Sequence, residues 1–518
     1  MKILLVMGQL AKETVEKYAR KAVEDVEVLA LSTPVAALLT ISQIAGEVSK
    51  MKIKGFGMIL VPGLVKGDTS PIEKSSGIPT FKGPRYVADL PLVLEQIEHV
   101  KLSKTIPACE VLRSELTQRT LNELENVERD RESLLRRSGN ILISDLAVGR
   151  DFPMRVMAEI LDAPLLSNSE IREKAEYFKD CGAQIIDIGM VAGKSRPRDA
   201  ERTVKLVKRS LNIPVSIDTF DMAEAKAAVS AGADLLLSVD AGTIEEAAEF
   251  ASDIVVVITP TDQRKGYFPK SSSERVKLLE ENVRKASKLG MKKIIGDLIL
   301  DPVNIPGIVE SLTAYRLFST RNPQVPIMFG VGNVTELMDA DSIGVNALLA
   351  GMASELGVSL LLTTEGSDKT KGSVRELAMA SKMMLLAKKR SSVPKDLGLD
   401  LLILKDKRLR DEAYDETGEE GATIVNARET GGDELDSKGM FKISIDRKEK
   451  LLIATHFLGD VKREVIKGRN AKGVYSTIIG MNLISSLSHA AYLGRELEKA
   501  ETTLRIGKTY IQDEPLFT

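Results

Sequence analysis

The sequence predicts an α/β protein built on a (β/α)8 TIM barrel, with an N-terminal Rossmann-like α/β domain and a small C-terminal α+β domain. Three observations predict it. Between about residues 140 and 400 there are eight short apolar runs, each followed by a helical pattern. Before residue 125 three apolar runs alternate with helical patterns, and after residue 440 a strand-turn-strand pattern leads into two helical stretches. Two polar stretches, Asn122 to Arg137 and Asp411 to Gly439, separate these regions, so domains are expected over 1–125, 140–400 and 440–518.

In the first region Ile3 to Met7, Val26 to Leu31 and Met58 to Val61 read as strands of a parallel sheet. The Gly/Pro-rich stretch between Pro62 and Pro91 reads as a long loop carrying Lys66, Lys82 and Arg85. Such a loop beyond the sheet's carboxyl edge could bind an anion. An ordered surface loop is the preferred reading, because no GxGxxG or Walker sequence is present.

The eight barrel runs are Arg155 to Ile160, Gln184 to Ile188, Pro214 to Ile217, Asp234 to Val239, Asp253 to Ile258, Lys293 to Leu300, Val325 to Phe329 and Val358 to Leu362. Eight is the number such a barrel needs, and about 250 residues is its usual size. Strand count alone does not close a barrel, so a doubly wound open sheet is the alternative. Between the runs, Val276, Leu279, Val283 and Ala286 recur at helical spacing, with Gly290 at the expected helix end.

Composition narrows the partners. Lys plus Arg (72) nearly balances Asp plus Glu (74), which gives no field for nucleic acid or an anionic membrane and leaves a small molecule as the expected partner. Two cysteines, Cys109 and Cys181, and three histidines offer neither a disulfide framework nor a zinc pattern, so no metal site is expected. MKILLVMGQL has no signal-peptide pattern and no apolar run approaches the roughly 20 residues of a membrane span, so a cytoplasmic location is expected.

In a (β/α)8 barrel, chemistry belongs at the C-terminal strand ends. Acids recur there. Strand two ends Asp187-Ile188-Gly189 ahead of Gly193-Lys194-Ser195-Arg196-Pro197, and strand three ends Ile217-Asp218-Thr219. Strand four ends Ser238-Val239-Asp240, and strand six ends Leu300-Asp301-Pro302. Any one acid reads as a helix cap; their repetition at strand tips favours a site.

Gly182 to Gly189 closing with Ser195-Arg196-Pro197 resembles the second-strand signature of dihydropteroate synthases, as do Ile213 to Thr219 and Ala231 to Asp234 that of later strands. The whole chain is similar to archaeal dihydropteroate synthase-like proteins, which join an N-terminal α/β domain to a pterin-binding barrel. The resemblance implies a pterin-dependent transferase using a reduced pterin of the tetrahydromethanopterin or tetrahydrofolate type, with Asp187, Asp218 and Asp301 on the pterin. The alternative reaction is a dihydropteroate synthase-type condensation of a pterin pyrophosphate with an arylamine in tetrahydromethanopterin biosynthesis, for which magnesium would be a cofactor, and acidic strand tips keep an enolase-like magnesium site as a lesser option. A non-catalytic pterin carrier is a further alternative. Departures bear on the reaction. Leu237 stands where dihydropteroate synthases carry a pterin-contacting Asn, Val334 where a lysine holds the aminobenzoate, and Thr363-Thr364-Glu365 replaces an Arg/His pair.

The strand-seven loop Gly332-Asn333-Val334-Thr335 resembles instead the Ser-Asn-Val-Ser of methyltetrahydrofolate-type methyltransferases, whose Asn approaches N5. Glu159 and Asp162 resemble that branch's Gly-Glu-Arg-x-Asn, and Asp301 to Pro306 its Asp-Pro-Leu-Val-x-Pro. The resemblance thus assigns Asn333 and Asp301 to catalysis, and Glu159, Asp162, Asp187, Asp218, Ser238, Asp240, Asp301 and Asn333 to the pterin. Lys194, Ser195, Arg196, Lys369 and Lys371 are the phosphate candidates. A phosphate turn shaped by Gly330 and Gly332 competes with the Asn333 reading. Methyl transfer would need a separate corrinoid protein, or another acceptor: the string around His456 lacks the Asp of a corrinoid motif, and an ordinary strand His is preferred. Ser488 to Leu497 reads as a helix face meeting a partner, with Arg495 and Glu496 outward, and a homodimer is expected.

Overall fold

The computed structural model describes residues 2–19, 25–33, 38–50, 55–85, 87–395, 397–407, 423, 425, 427 and 436–517. The chain forms two compact units, Met1–Arg410 and Asp411–Thr518. Most of the acidic stretch expected between the last two domains lies outside the described residues.

The first unit begins with a four-stranded parallel sheet in the order β2-β1-β3-β4, from β1 (Ile3–Gly8), β2 (Val26–Leu31), β3 (Met58–Val61) and β4 (Thr80–Lys82). The central strand β1 is buried on both faces, which is why it reads as an unbroken apolar run. Ile3, Leu5 and Met7 pack with Leu90, Val93 and Leu112 on one side, while Leu4 and Val6 pack with Ile44, Val48 and Ile72 on the other. The long loop expected between Pro62 and Pro91 instead holds the helix Ser70–Ser76 and β4, a strand too short to show a period. Lys82 is buried at the end of β4 with its ammonium on the Val65 carbonyl, and Arg85 pairs with Glu110 at 2.6 Å. Those cations hold the loops together.

The charged connector is a helix, Ala108–Arg129, followed by Arg131–Leu135. It is packed against the barrel. Leu124 and Val127 join Leu385, Leu386 and Leu397, Thr117 donates to the Gly398 carbonyl, and Arg390 pairs with Glu123 at 3.0 Å. A hairpin, β5 (Ile141–Ile143) and β6 (Leu146–Val148), then plugs the barrel's N-terminal end. Ile143 and Val148 join the inward Met157, Ile185, Leu235, Val255, Ile295, Met328 and Leu360, and Arg155 donates to the Ala147 carbonyl.

The eight barrel strands are β7 (Arg155–Ile160), β8 (Ile185–Gly189), β9 (Val215–Asp218), β10 (Leu235–Val239), β11 (Val255–Ile258), β12 (Lys293–Asp297), β13 (Ile327–Gly330) and β14 (Leu360–Thr364). All neighbours are parallel, and β7 pairs with both β14 and β8, so the sheet closes and the open-sheet alternative is excluded. Residues alternate between the interior and the helix layer. Val156, Ala158 and Ile160 face the helices while Met157 faces inward. Three of the intervening helices start on side-chain caps: Ser167 forms a capping box with Glu170, Asp221 accepts from the amides of Ala223 and Glu224, and Ser271 accepts from the Glu274 amide. The helix Ser272–Lys288 ends ahead of Gly290, which adopts φ +97° as a helix end favours.

The second unit is an antiparallel sheet, β15 (Met440–Asp446), β16 (Leu451–Leu458) and β17 (Val461–Gly468), covered by helices Ala471–Gly480 and Leu487–Ile506. The sequence signal for β17 is weak, because only Ile466 among its residues is buried. The helix face expected to meet a partner packs on this sheet, with Leu493, Leu497 and Ala500 against Phe441, Ile443 and Leu452. Arg495 is outward, but Glu496 is buried, where it takes Lys499 at 2.7 Å and the Tyr510 hydroxyl at 3.0 Å. Those donors satisfy a carboxylate that helical spacing alone placed in solvent. His456 is a strand residue stacked on Phe441, its Nδ1 2.5 Å from Glu464 and its Nε2 2.7 Å from the Lys438 carbonyl. Neither ring nitrogen is left for cobalt.

Candidate functional site

The barrel alternation that buries Met157 and Ile185 points Glu159 and Asp187, two residues further along, into the mouth. They are register partners on β7 and β8, and Asp218 at the end of β9 pairs with Gly189. One carboxylate oxygen from each of Glu159, Asp187 and Asp218 lies within 4.8 Å of the others. Gly189 makes room for this approach, since a Cβ there would collide with the Glu159 carboxylate.

Few donors serve the trio. Ser216 donates to Asp187 Oδ1 at 2.5 Å, and Ser238, itself at φ +63°, donates to Asp218 Oδ1 at 2.8 Å. Asp187 is fully buried and its Oδ2 accepts no hydrogen bond among the described residues. Burial, then the charges of Asp218 and Asp162, push Glu159 up to about 7. Burial and its two acidic neighbours push Asp187 well above the usual carboxylate range, and burial raises Asp218. At neutral pH the trio therefore shares protons unless a ligand brings donors or positive charge.

Strand six departs from expectation. β12 ends at Asp297, not Leu300, and the chain turns through Ile299 at φ +64°. Inward alternation from Ile295 places Asp297 in the mouth, a signal that the longer reading of the run concealed. Its carboxylate accepts the Tyr315 hydroxyl at 2.6 Å and the Ile299 amide at 2.9 Å, while burial pushes it up to about 6. Asp301 lies in the following loop, buried against Arg275 at 2.5 Å and the Ser311 hydroxyl at 2.8 Å. Arg275 also donates to the Ile299 carbonyl at 2.9 Å, so Asp301 braces the loop that ends β12. Asp240 likewise leaves the site. It accepts from Gly242 and Gln263 amides and from the Thr261 hydroxyl, at 3.0, 2.7 and 3.0 Å, which ties the β10 and β11 loops together.

The remaining candidates divide. Asp162 is exposed just past β7 at φ +48°, close enough for its charge to raise Glu159. Asn333 begins the turn after β13 and donates to the Leu300 carbonyl at 2.9 Å, joining the strand-seven and strand-six loops. Its Oδ1 has no partner among the described residues. Of the phosphate candidates, Arg196 sits 3.7 Å from Asp199 while its backbone amide caps Glu224. The Ser195 side chain bonds Asp221. Lys369 pairs with Asp339 at 2.8 Å, and Lys371 pairs with Asp368. Lys194 is exposed and makes no ion pair among the described residues.

The model of the pterin binding enzyme family matches residues 162–348, from the tip of β7 to the helix before β14. A protein of Methanocaldococcus jannaschii, itself uncharacterized, is 41% identical over 531 residues, covering 100% of this chain and 99% of that protein. The chain belongs to the dihydropteroate synthase-related pterin-binding barrel proteins. The family model described as PterinBD-DUF4346 matches residues 435–513 of this pterin-binding barrel protein, the span of the second unit's sheet and helices. Among solved structures, a Yersinia pestis dihydropteroate synthase with a pterin–sulfa conjugate is 16% identical, covers 49% of the chain and 100% of its own, and has a TM-score of 0.39. The Thermus thermophilus enzyme is 21% identical, covers 47% and 97%, and has a TM-score of 0.36. Among the described residues of the pterin-binding barrel protein no helix is long and apolar enough to cross a membrane.

Proposed function

We propose that the barrel mouth holds a reduced pterin of the tetrahydromethanopterin or tetrahydrofolate type, and that the protein transfers a methyl or other one-carbon unit from it. One observation carries this reading: Glu159, Asp187 and Asp218 converge on the mouth with no Lys, Arg or His ion-paired to them among the described residues, and Asp297 lies near enough for Asp218 to raise it. The 2-amino-4-oxopyrimidine edge of a pterin presents adjacent N–H donors, which satisfy such carboxylates. Each charge-assisted bond contributes about 1.5 to 3 kcal/mol, so two of them fix the ring plane. Tyr315 and Ser238 hold Asp297 and Asp218 in place for that contact.

A bound pterin supplies N5 as the atom that carries the one-carbon unit. Asn333 is the residue assigned to that atom: Leu300 orients its amide, leaving one N–H and the Oδ1 for the ring. A neutral amide there adds no charge that would oppose the change at N5. The acceptor is a separate protein such as a corrinoid carrier, because His456 is fully engaged.

Equilibrium binding of reduced folate and tetrahydromethanopterin, with and without an N5-methyl group, is the first test. Micromolar or tighter binding of one of them is expected; no binding by any would end the pterin reading. Single-turnover demethylation with free corrinoid then tests Asn333. Asn333→Ala should slow it by roughly 10²- to 10³-fold with a much smaller loss of binding, as for a group acting in the transition state. A near-wild-type rate would remove Asn333 from the chemistry, and binding without turnover across acceptors would make the protein a carrier.

A further inference from the structure

We propose that Glu336 is a specificity-determining residue: its carboxylate fills, from within the chain, an anion cradle between the strand-seven and strand-eight loops, and so bars substrates that carry a phosphate there. Loops after the seventh and eighth strands are where (β/α)8 barrels frequently hold a phosphate group. This barrel builds a suitable cradle just after β14. The Gly366 amide and the Thr370 hydroxyl donate to Glu336 Oε1 at 2.9 and 2.6 Å, and the Ser367 hydroxyl donates to Oε2 at 2.6 Å. One amide and two hydroxyls converging on a single point form a donor set suited to an anion. Gly366 admits the approach, since a Cβ there would stand 3.4 Å from Glu336 Oε1 and 2.8 Å from the Leu161 side chain.

A second observation concerns charge. Lys369, in the same turn as Ser367 and Thr370, pairs at 2.8 Å with Asp339, which comes from the same strand-seven loop as Glu336. Two acids of one loop therefore take the hydroxyls, the amide and a cation of the other. Against the effect of burial, hydrogen bonds from Ser367, Thr370 and Gly366 hold Glu336 below its ordinary 4.5, so it is ionised at neutral pH. An incoming phosphate meets a carboxylate that already owns the donors, and a second negative charge beside it. A simple staple between two loops would make the same bonds. The two roles differ in what removal of the carboxylate does: a lost staple loosens the loops, whereas a lost plug opens a place for an anion.

The exclusion of phosphate does not depend on the pterin reading. What it selects among pterins does rest on that reading: a substrate without a phosphate or diphosphate at this end of the mouth, which favours transfer from a reduced pterin over condensation of a pterin diphosphate.

The test uses the full chain without pterin, with inorganic phosphate and pyrophosphate as calorimetric probes. Glu336→Ala should bind them about tenfold or more tightly than wild type, the scale of one charged hydrogen-bonding group. Glu336→Gln keeps the shape and loses the charge, so it should gain about threefold, and it carries the test if circular dichroism shows the alanine variant unfolded. Adding Ser367→Ala to Glu336→Ala should remove most of the gain. Folded Glu336 variants that bind phosphate no better than wild type would reduce Glu336 to a staple and overturn the proposal, as would a gain that survives Ser367→Ala. Reduced-pterin binding by the same proteins is measured separately. Its absence would strike the pterin reading and leave the phosphate result standing.

Discussion

The two sides of the barrel mouth carry the same residue type under opposite electrostatic conditions. On the side of β7, β8 and β9, Glu159, Asp187 and Asp218 face one another with two serine hydroxyls as their side-chain donors. On the side of β10 to β12, Asp240 and Asp301 are each surrounded by donors, amides and threonine for one and Arg275 with Ser311 for the other. A buried carboxylate costs free energy unless it is paired, so the second set stabilises loops while the first set is left with few donors. Position at a strand tip does not distinguish them; the partners do.

That contrast is broken most severely by removing the cation from the paired side. Arg275→Ala leaves Asp301 buried with the Ser311 hydroxyl but no counter-charge, and the barrel should lose about 3 to 5 kcal/mol in urea unfolding. A change below about 1 kcal/mol would mean that Asp301 is not held by its pair.

The next largest effects separate binding from bracing. Asp218→Ala should weaken reduced-pterin binding by about 1.5 to 3 kcal/mol, whereas Asp301→Ala should lower the unfolding free energy and leave affinity within about 0.5 kcal/mol. Equal losses of affinity in calorimetric titrations would place Asp301 back among the pterin contacts.

The smallest effect is in the pH dependence. Glu159 and Asp297 are raised from ordinary values of 4.5 and 3.8 to about 7 and about 6. Their contribution is fully present below those ordinary values and is lost as pH rises through 6 to 7. In the second unit the sign reverses. Against the effect of burial, hydrogen bonds from Ser485, Lys438 and Ser486 hold Asp436 well below its ordinary 3.8, so its contribution is present above that value and lost as pH falls. Scanning calorimetry of ligand-free protein should show the barrel transition moving down between pH 5 and pH 8. Asp187→Asn should flatten that slope and stabilise the barrel at pH 8 by about 1 kcal/mol, since an amide gives its neighbours a donor. A barrel transition independent of pH would show that the trio is already neutralised.

By itself the sequence determined the eight strand runs and the acids at their tips, because burial on both faces of a parallel strand leaves a run that is legible without any contact map, whereas closure into a barrel was decided by the pairing of β7 with β14. It also named Glu159, Asp187 and Asp218 as candidates, through the resemblance of Gly182 to Gly189 and Ile213 to Thr219 to dihydropteroate synthase strands and of Glu159 to the Gly-Glu-Arg-x-Asn of the methyltransferase branch. Only the tertiary structure decided which acids are free. Arg275 reaches Asp301 from a helix 26 positions earlier, and Thr261 reaches Asp240 from the next loop, pairings that no local period encodes. The same holds for Asp297, hidden inside an apolar run until the turn at Ile299 ended the strand, and for Glu496, whose donors Lys499 and Tyr510 converge only when the second unit folds. Periodicity reports which side of an element a residue occupies; the charge it meets there comes from elsewhere in the chain, and that charge decides whether a buried acid braces the fold or binds a ligand.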